Sequence, residues 1–312
     1  MSENPIELSV VVPVYKSEES LDELVSRLNQ VVDQLHIKAE ILLVEDAGPD
    51  GSWQKIEILA KNKINNVKGL RLSRNFGQHY AITAGLDETK GKWIVVMDCD
   101  LQDRPEGILD LYKKALEGYD IVLARRKNRQ DNLFKKAGGY VFYRVLQFLT
   151  SAEYDNAVAN FGIYNRKVIS AICQMREQIR YFPVMVKWLG FKLIKIDVEH
   201  AERKYGKTTY GFRKHLSLAT DIILAFSDRP LRLAMTSGIL VSFFSLLLAI
   251  YFLWRSLVFH VVVPGWASVI ISIWFLSGII LFVLGVACLY LGKIFEQVKN
   301  RPLYIVTARC GE

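Results

Sequence analysis

Two stretches without a charged side chain, Leu233 to Trp254 and Ser256 to Gly292, constrain this chain more than any other feature. The first has 22 residues, enough for a helix rising 1.5 Å per residue to cross about 30 Å of hydrocarbon. Within the second, Ala267 to Leu291 is long enough for another crossing. Between them, Arg255, His260, Pro264 and Gly265 read as a short turn at one interface. Trp254 and Trp266 flank that turn, as expected of an aromatic belt. The alternative, a helical hairpin buried in a soluble core, fits less well, because core helices of this length normally carry a polar stripe.

The rest of the chain is different in kind. Of its 40 Lys and Arg and 32 Asp and Glu, only five basic and two acidic side chains lie beyond residue 232. A water-soluble body therefore precedes the apolar segment. The composition excludes disorder, collagen and a disulfide scaffold, and a single apolar region excludes a many-span transporter. Cys99, Cys173, Cys288 and Cys310 show no paired spacing, which agrees with a reducing compartment and gives no disulfide or metal pattern. Arg229 and Arg232 precede the first span, Lys293, Lys299 and Arg301 follow the second, and the turn has only Arg255. The positive-inside rule then predicts a multi-pass protein of the inner, cytoplasmic membrane, with the body and both termini in the cytoplasm. Met1 to Glu7 has no basic n-region and no long apolar run, so no signal peptide is expected.

In the body, short apolar runs alternate with helical patterns. Strands are predicted at Leu8–Tyr15, Glu40–Val44, Lys68–Leu72, Trp93–Met97, Asp120–Ala124 and Leu193–Val198. Helices are predicted at Ser20–Leu35, Ser52–Asn62, Gln78–Glu88, Pro105–Glu117 and Phe212–Ser227. Such alternation predicts an α/β layer on a mostly parallel sheet, with the chemistry at the carboxyl ends of the strands.

At that edge the sharpest signal is Met97-Asp98-Cys99-Asp100-Leu101-Gln102-Asp103. Two carboxylates two residues apart after an apolar strand can present oxygens to one hard divalent cation, Mg2+ or Mn2+, which keeps open positions for substrate phosphates. Glu45-Asp46 with Asp50 forms a second acidic edge, able either to accept bonds from a nucleobase or ribose or to act as a turn and cap before the helix at Ser52. Ser73-Arg74-Asn75-Phe76-Gly77-Gln78-His79 opens a helix, where Arg74 can meet a phosphate. His79 there reads as a structural residue of the first turn. From Arg125 to Arg144, seven basic side chains and one acid are interleaved with aromatic and apolar residues. Beside a membrane anchor this suggests an interfacial helix; nucleic acid is not expected as a partner. Arg203 and Lys207, in the polar loop after Val198, can clamp a diphosphate.

Taken in order, these pieces resemble a family-2 glycosyltransferase of the polyprenyl-phosphate type, the group of bactoprenol-phosphate glucosyltransferases, undecaprenyl-phosphate formamido-arabinose transferases and dolichol-phosphate mannose synthases. The resemblance runs from about Leu8 to Gly292. It rests on Val11-Val12-Pro13-Val14-Tyr15, Glu45 to Gly51, Met97 to Asp103, Arg203-Lys204-Tyr205-Gly206-Lys207, Phe226 to Arg232, and the two spans. It implies a GT-A nucleotide-sugar-binding, Rossmann-like domain over 1–210 and a juxtamembrane amphipathic helix over 211–232. Two transmembrane helices over 233–292 and a cytoplasmic tail over 293–312 would follow. Pro13, Tyr15, Glu45 and Asp46 would line the nucleotide site. Asp98 and Asp100 would hold donor and metal, with Gln102 as a further metal ligand. Arg126 and Arg203 would meet the phosphates, with Lys207 as a second clamp, and Lys135 and Arg144 would draw in the lipid phosphate.

The chain departs from the family pattern in four places: Ser17 and Glu45 stand where relatives often have Glu and Asp, Thr209 where several have Lys, and the segment Asn160-Phe161-Gly162 where many have an acid. The implied reaction moves a sugar, from a UDP-sugar by preference, to an undecaprenyl-type phosphate with inversion. The implied assembly is a homo-oligomer, a tetramer in relatives, with Pro302–Val306 a candidate strand between subunits. Two rivals remain: a polysaccharide synthase, which normally needs more spans and a Q-x-x-R-W-type motif not found here, and a membrane-tethered nucleotide-sugar-binding protein without turnover.

Overall fold

The structure is a computed structural model that describes residues 5–62, 66–126, 158–198, 227, 229–259 and 265–311 of the chain. Strand β1, Leu8–Val14, is a β-branched run buried along its whole length. That is the signature of a parallel strand covered on both faces. It pairs in parallel with β2, Ala39–Glu45, on one side and with β4, Trp93–Val96, on the other. Beyond β2 lies β3, Val67–Leu72, again parallel. The intervening helices α1 (Leu21–Leu35), α2 (Ser52–Lys61), α3 (Gln78–Glu88) and α4 (Gly107–Leu116) cover the sheet. In α1 the buried positions Leu21, Leu24, Val25, Leu28 and Val31 trace one helical stripe. A Cβ at Gly85 of α3 would run into Val11, so only glycine lets this helix lie so close to β1.

Further along come β5 (Ile121–Arg126), β6 (Val158–Asn165), α5 (Arg166–Gln174), α6 (Phe182–Trp188) and β7 (Leu193–Val198). Asn165 caps α5 by accepting from Lys167 N at 3.1 Å. The spatial order is β7-β5-β6-β4-β1-β2-β3-β8. The sheet is mixed: β6 runs antiparallel to both β4 and β5, whereas β5 and β7 are parallel. The expected strands and helices of the first 126 residues are present, with ends shifted by one or two residues. β6, α5 and α6 were not anticipated. The predicted helix Phe212–Ser227 lies, but for Ser227, outside the described residues.

The last strand, β8 (Val306–Cys310), runs antiparallel on β3 of the same chain, with Arg71 opposite Ala308. Residues from Arg301 on belong to the same compact unit as the sheet. This differs from the sequence reading of Pro302–Val306 as a strand between subunits and of 293–312 as a tail. The physical reason is the outer edge of β3, whose unpaired N–H and C=O groups are satisfied by the returning chain. Val306, Ala308 and Cys310 are half-buried, while Thr307 and Arg309 are exposed, the alternation of a strand covered on one face.

At the amino edge of the sheet, Glu40 is buried. Its carboxylate accepts from Ser9 Oγ at 2.6 Å, Lys90 N at 2.7 Å and Lys68 Nζ at 2.9 Å. Burial opposes its ionisation, but these bonds outweigh burial and hold the carboxyl below its usual pKa.

The second unit holds two long helices that pack on each other, α7 (Arg229–Phe259) and α8 (Trp266–Val298). Each contains a segment long and apolar enough to cross a membrane, Arg229–Leu248 and Ser272–Val298. Their large side chains are exposed, Trp274 at 78% and Leu281 at 69% among them. A hairpin buried in a soluble core is therefore not what this chain builds.

Candidate active site

The chain steps outward from β1 to β2 and β3, then returns to lay β4 on the other side of β1. Parallel α/β sheets bind ligands at such a reversal, outside the carboxyl ends of the strands. The ends of β1, β2 and β4 lie side by side there, and so do most of the residues singled out from the sequence.

From β1, Pro13 is buried within the strand opposite Val44, and Tyr15 emerges exposed. Lys16 follows with φ 53° and its ammonium 5.4 Å from the Tyr15 ring centre. Ser17 turns back: its N donates to Ser52 Oγ at 3.2 Å, and its hydroxyl accepts from the Cys99 thiol at 3.0 Å. Thus the turn after β1 is tied both to the start of α2 and to the loop after β4.

In that β4 loop, Cys99 faces inward between two carboxylates. Burial pushes its thiol up to about 11, so it is a neutral hydrogen-bond donor rather than a nucleophile. Asp98 Oδ1 accepts from Gln78 Nε2 at 2.6 Å, and Asp100 Oδ1 accepts from Gln102 N at 3.2 Å. Buried Leu101, between Asp100 and Gln102, has φ 58°. Left-handed backbone at a large apolar residue is costly, and such strain concentrates at functional sites. Lys16, Ala47 and Leu101, three of the six non-glycine residues with positive φ among the described residues, stand at this edge.

The acidic turn after β2 is occupied by the protein itself. Glu45 and Asp46 are only 1% and 3% exposed. Glu45 accepts from Gly48 N and pairs with Arg71 Nε at 3.3 Å. Asp46 accepts from Phe76 N and Gly77 N, both at 2.8 Å, one on each carboxylate oxygen. Burial raises the pKa of both groups, against these bonds. Asp50 accepts from Ser52 Oγ at 2.7 Å and Glu18 N at 3.3 Å, while Glu18 Oε2 accepts from Gly51 N at 3.0 Å. The turn thereby clasps the one after β1. Arg74, exposed, lies 4.2 Å from the Phe76 ring centre.

His79 packs edge-on against Tyr181, and burial lowers its pKa to about 4, leaving it neutral. Arg126 ends β5 opposite Val198 at this same edge, but its side chain lies outside the described residues. So do Arg203, Lys207, Lys135 and Arg144. Phe161 and Gly162 fall inside β6, Phe161 buried and Gly162 between Val96 and Leu123.

Residues 9–173 match the model of glycosyl transferase family 2. The chain belongs to that family. The glycosyltransferase is 39% identical to the uncharacterized glycosyltransferase YkcC of Bacillus subtilis (strain 168), over 98% of this chain and 95% of that one. It is 33% identical to the undecaprenyl-phosphate 4-deoxy-4-formamido-L-arabinose transferase of Proteus mirabilis (strain HI4320), over 97% and 94%. Among solved structures it resembles glucosyl-3-phosphoglycerate synthase from Mycobacterium tuberculosis in complex with Mn2+, uridine diphosphate and glucosyl-3-phosphoglycerate. That similarity has a TM-score of 0.52 at 13% identity, covers 70% of this chain and 78% of that one, and carries the GT-A fold.

Sequence reasoning missed two features of the glycosyltransferase's site: the Gln78 amide that fixes Asp98, and the Cys99–Ser17 bond that joins the loops. Gln78 was legible only as the first residue of a helix after a polar loop. No group of three His, Cys, Asp or Glu side chains that could hold a metal occurs among the described residues. Two carboxylates and an amide at the end of β4 are nevertheless an all-oxygen donor set. It suits a hard divalent cation that takes its remaining ligands from phosphates and water.

Proposed function

We propose that this glycosyltransferase moves a sugar from a UDP-sugar to a polyprenyl phosphate of the undecaprenyl type, with inversion, at the cytoplasmic face of the membrane that α7 and α8 span. The observation that carries the reading is the position of Asp98-Cys99-Asp100 at the reversal of strand order, in a chain that also has two helices of bilayer length. The similarity to undecaprenyl-phosphate formamido-arabinose transferases supports the lipid acceptor. The basic side chains that flank the helices favour the cytoplasmic orientation.

In this reading Tyr15 and Pro13 wall the nucleotide, while Glu45 and Asp46 hold the shape of that wall from within. Asp98, fixed by Gln78, orients the donor. Arg74, Arg126, Arg203 and Lys207 meet the diphosphate, and Lys135 and Arg144 the lipid phosphate. Asp100 and Gln102 would hold Mg2+ or Mn2+, which supplies positive charge for the diphosphate leaving group. The acceptor phosphate is already anionic near neutral pH, because its second pKa is about 6. Its oxygen attacks C1 of the sugar as the bond from C1 to the diphosphate oxygen breaks, and no base has to remove a proton. The protein's contribution is alignment and leaving-group stabilisation.

The test is purified full-length protein in detergent with Mg2+ and undecaprenyl phosphate, screened with UDP-, GDP- and dTDP-sugars for nucleoside diphosphate release. Release from a UDP-sugar only when the lipid is present is the expected result. Release without lipid would overturn the acceptor. Nucleotide binding without any release would favour a binding protein that does not turn over.

A further inference from the structure

The segment that follows the second apolar helix reaches the donor side of the sheet. Tyr304 packs against the buried cluster of Val44, Leu70, Leu72, Ala81 and Ala84, as do Phe76 and Val306. Its hydroxyl donates to Asp87 Oδ2 at 2.7 Å, near the last turn of α3. The same carboxylate accepts from both terminal nitrogens of Arg176, at 2.8 and 2.9 Å. Burial, then the bond to Asp87, raises the pKa of the Tyr304 hydroxyl. It therefore stays a donor at any working pH. One residue on, Ile305 O accepts from Ser73 N at 2.9 Å. Earlier in the segment, Arg301 O accepts from Gln178 Nε2 at 2.7 Å, and Gln178 O accepts from Tyr80 OH at 2.6 Å.

The loop 73–77 and α3 are thus gripped from two sides. Asp46 holds Phe76 N and Gly77 N from the core side. The C-terminal segment holds Ser73 through Ile305 O and Asp87 through the Tyr304 hydroxyl. What lies between these grips is Arg74 and Gln78, and Gln78 touches Asp98 at 2.6 Å.

We infer that Tyr304 is a positioning residue of the donor site, fixing the 73–77 loop and α3 so that Arg74 and Gln78 stay at the Asp98 edge. This rests on the reading of that edge as the nucleotide-sugar site. The stretch from Arg301 to Ile305 and the donor site then belong to one unit. A disturbance of that stretch reaches the donor without touching it.

Tyr304→Phe keeps the ring and deletes only the bond to Asp87. In the full-length protein in detergent, it should raise the KM for the nucleotide-sugar about threefold to tenfold. The KM for undecaprenyl phosphate should stay at the wild-type value. Amide hydrogen exchange should quicken over residues 73–88 and not over α1. Arg309→Ala, which breaks the exposed pair with Glu88 at 3.0 Å, should leave both KM values unchanged, since exposed pairs contribute little. A donor KM within about 1.5-fold of wild type would overturn the inference, because even weak couplings move affinity by about twofold. So would an equal rise in both KM values, or the same effect from Arg309→Ala, either of which marks a merely structural segment. If the wild type turns over no donor, the functional reading fails by itself. The exchange data still decide this inference, and unchanged exchange in Tyr304→Phe overturns it.

Discussion

Asp46→Asn separates two roles for the acidic turn. The carboxylate of Asp46 accepts two backbone N–H groups at 2.8 Å in a site that is 3% exposed. Each such bond to a charged acceptor contributes about 1.5–3 kcal/mol. An asparagine keeps the shape and one acceptor oxygen, so one bond survives while an NH2 group faces the other N–H. The gross loss is about 2–3 kcal/mol. Burial works the other way: it raises the Asp46 pKa, so a neutral side chain recovers part of the cost of burying charge. The net destabilisation is then about 1–2 kcal/mol, which lowers the unfolding midpoint by about 2–8 °C for a unit of this size. The assay is thermal unfolding of the purified protein in detergent, followed by intrinsic fluorescence with and without UDP. The unliganded midpoint should fall, and the donor KM should rise because the 73–77 loop loosens. If Asp46 served only to bind a nucleobase, the unliganded midpoint would stay put and only the UDP-dependent shift would shrink. An unliganded midpoint within about 1 °C of wild type refutes the reasoning.

Further measurements test the other assignments. Asp100→Ala should abolish lipid-dependent release of the nucleoside diphosphate and leave the fold intact, and chelating the divalent cation should mimic the loss of release; near-wild-type release by the variant would remove the metal role. Glu40 has a folded pKa below its unfolded one, so its stabilisation is complete above the unfolded value and is lost as pH falls through the folded value. The stability gap between wild type and Glu40→Gln should therefore be about 2 kcal/mol at neutral pH and close in acid, whereas a gap that widens in acid would contradict the sign. Neutralising Lys135 and Arg144 together should raise the KM for the lipid more than that for the nucleotide-sugar, and equal changes would count against a lipid-phosphate role.

Much of the architecture was legible because burial writes itself into residue type. Leu8–Val14 and Ala39–Glu45 are apolar throughout because parallel central strands are covered on both faces. The stripe on α1 and the two charge-free segments are equally direct. β6 was not legible: its Asn160-Phe161-Gly162 mixes polar, aromatic and flexible residues, and its place between β4 and β5 is a long-range pairing. β8 was misplaced because five half-polar residues after a long apolar helix carry no mark of the edge they will cover. In the site, Asp98 and Asp100 stood out by spacing. The state of Glu45 and Asp46 did not, since a carboxylate that binds ligand and one that binds backbone look alike in sequence.

Composition and periodicity by themselves determined that this chain is an α/β body with a bilayer-length apolar segment, and that acidic turns follow two of its strands. Those are local properties, set by which side chains must leave water and at what repeat. The tertiary structure decided the strand order, and with it the edge at which Tyr15, Asp46 and Asp98 follow three neighbouring parallel strands. It also decided how the carboxylates are engaged, Asp46 by the backbone N–H groups of Phe76 and Gly77 and Asp98 by the side-chain amide of Gln78. That choice depends on the exact distance between a carboxyl and an amide tens of residues away, a distance that exists only once the sheet has assembled.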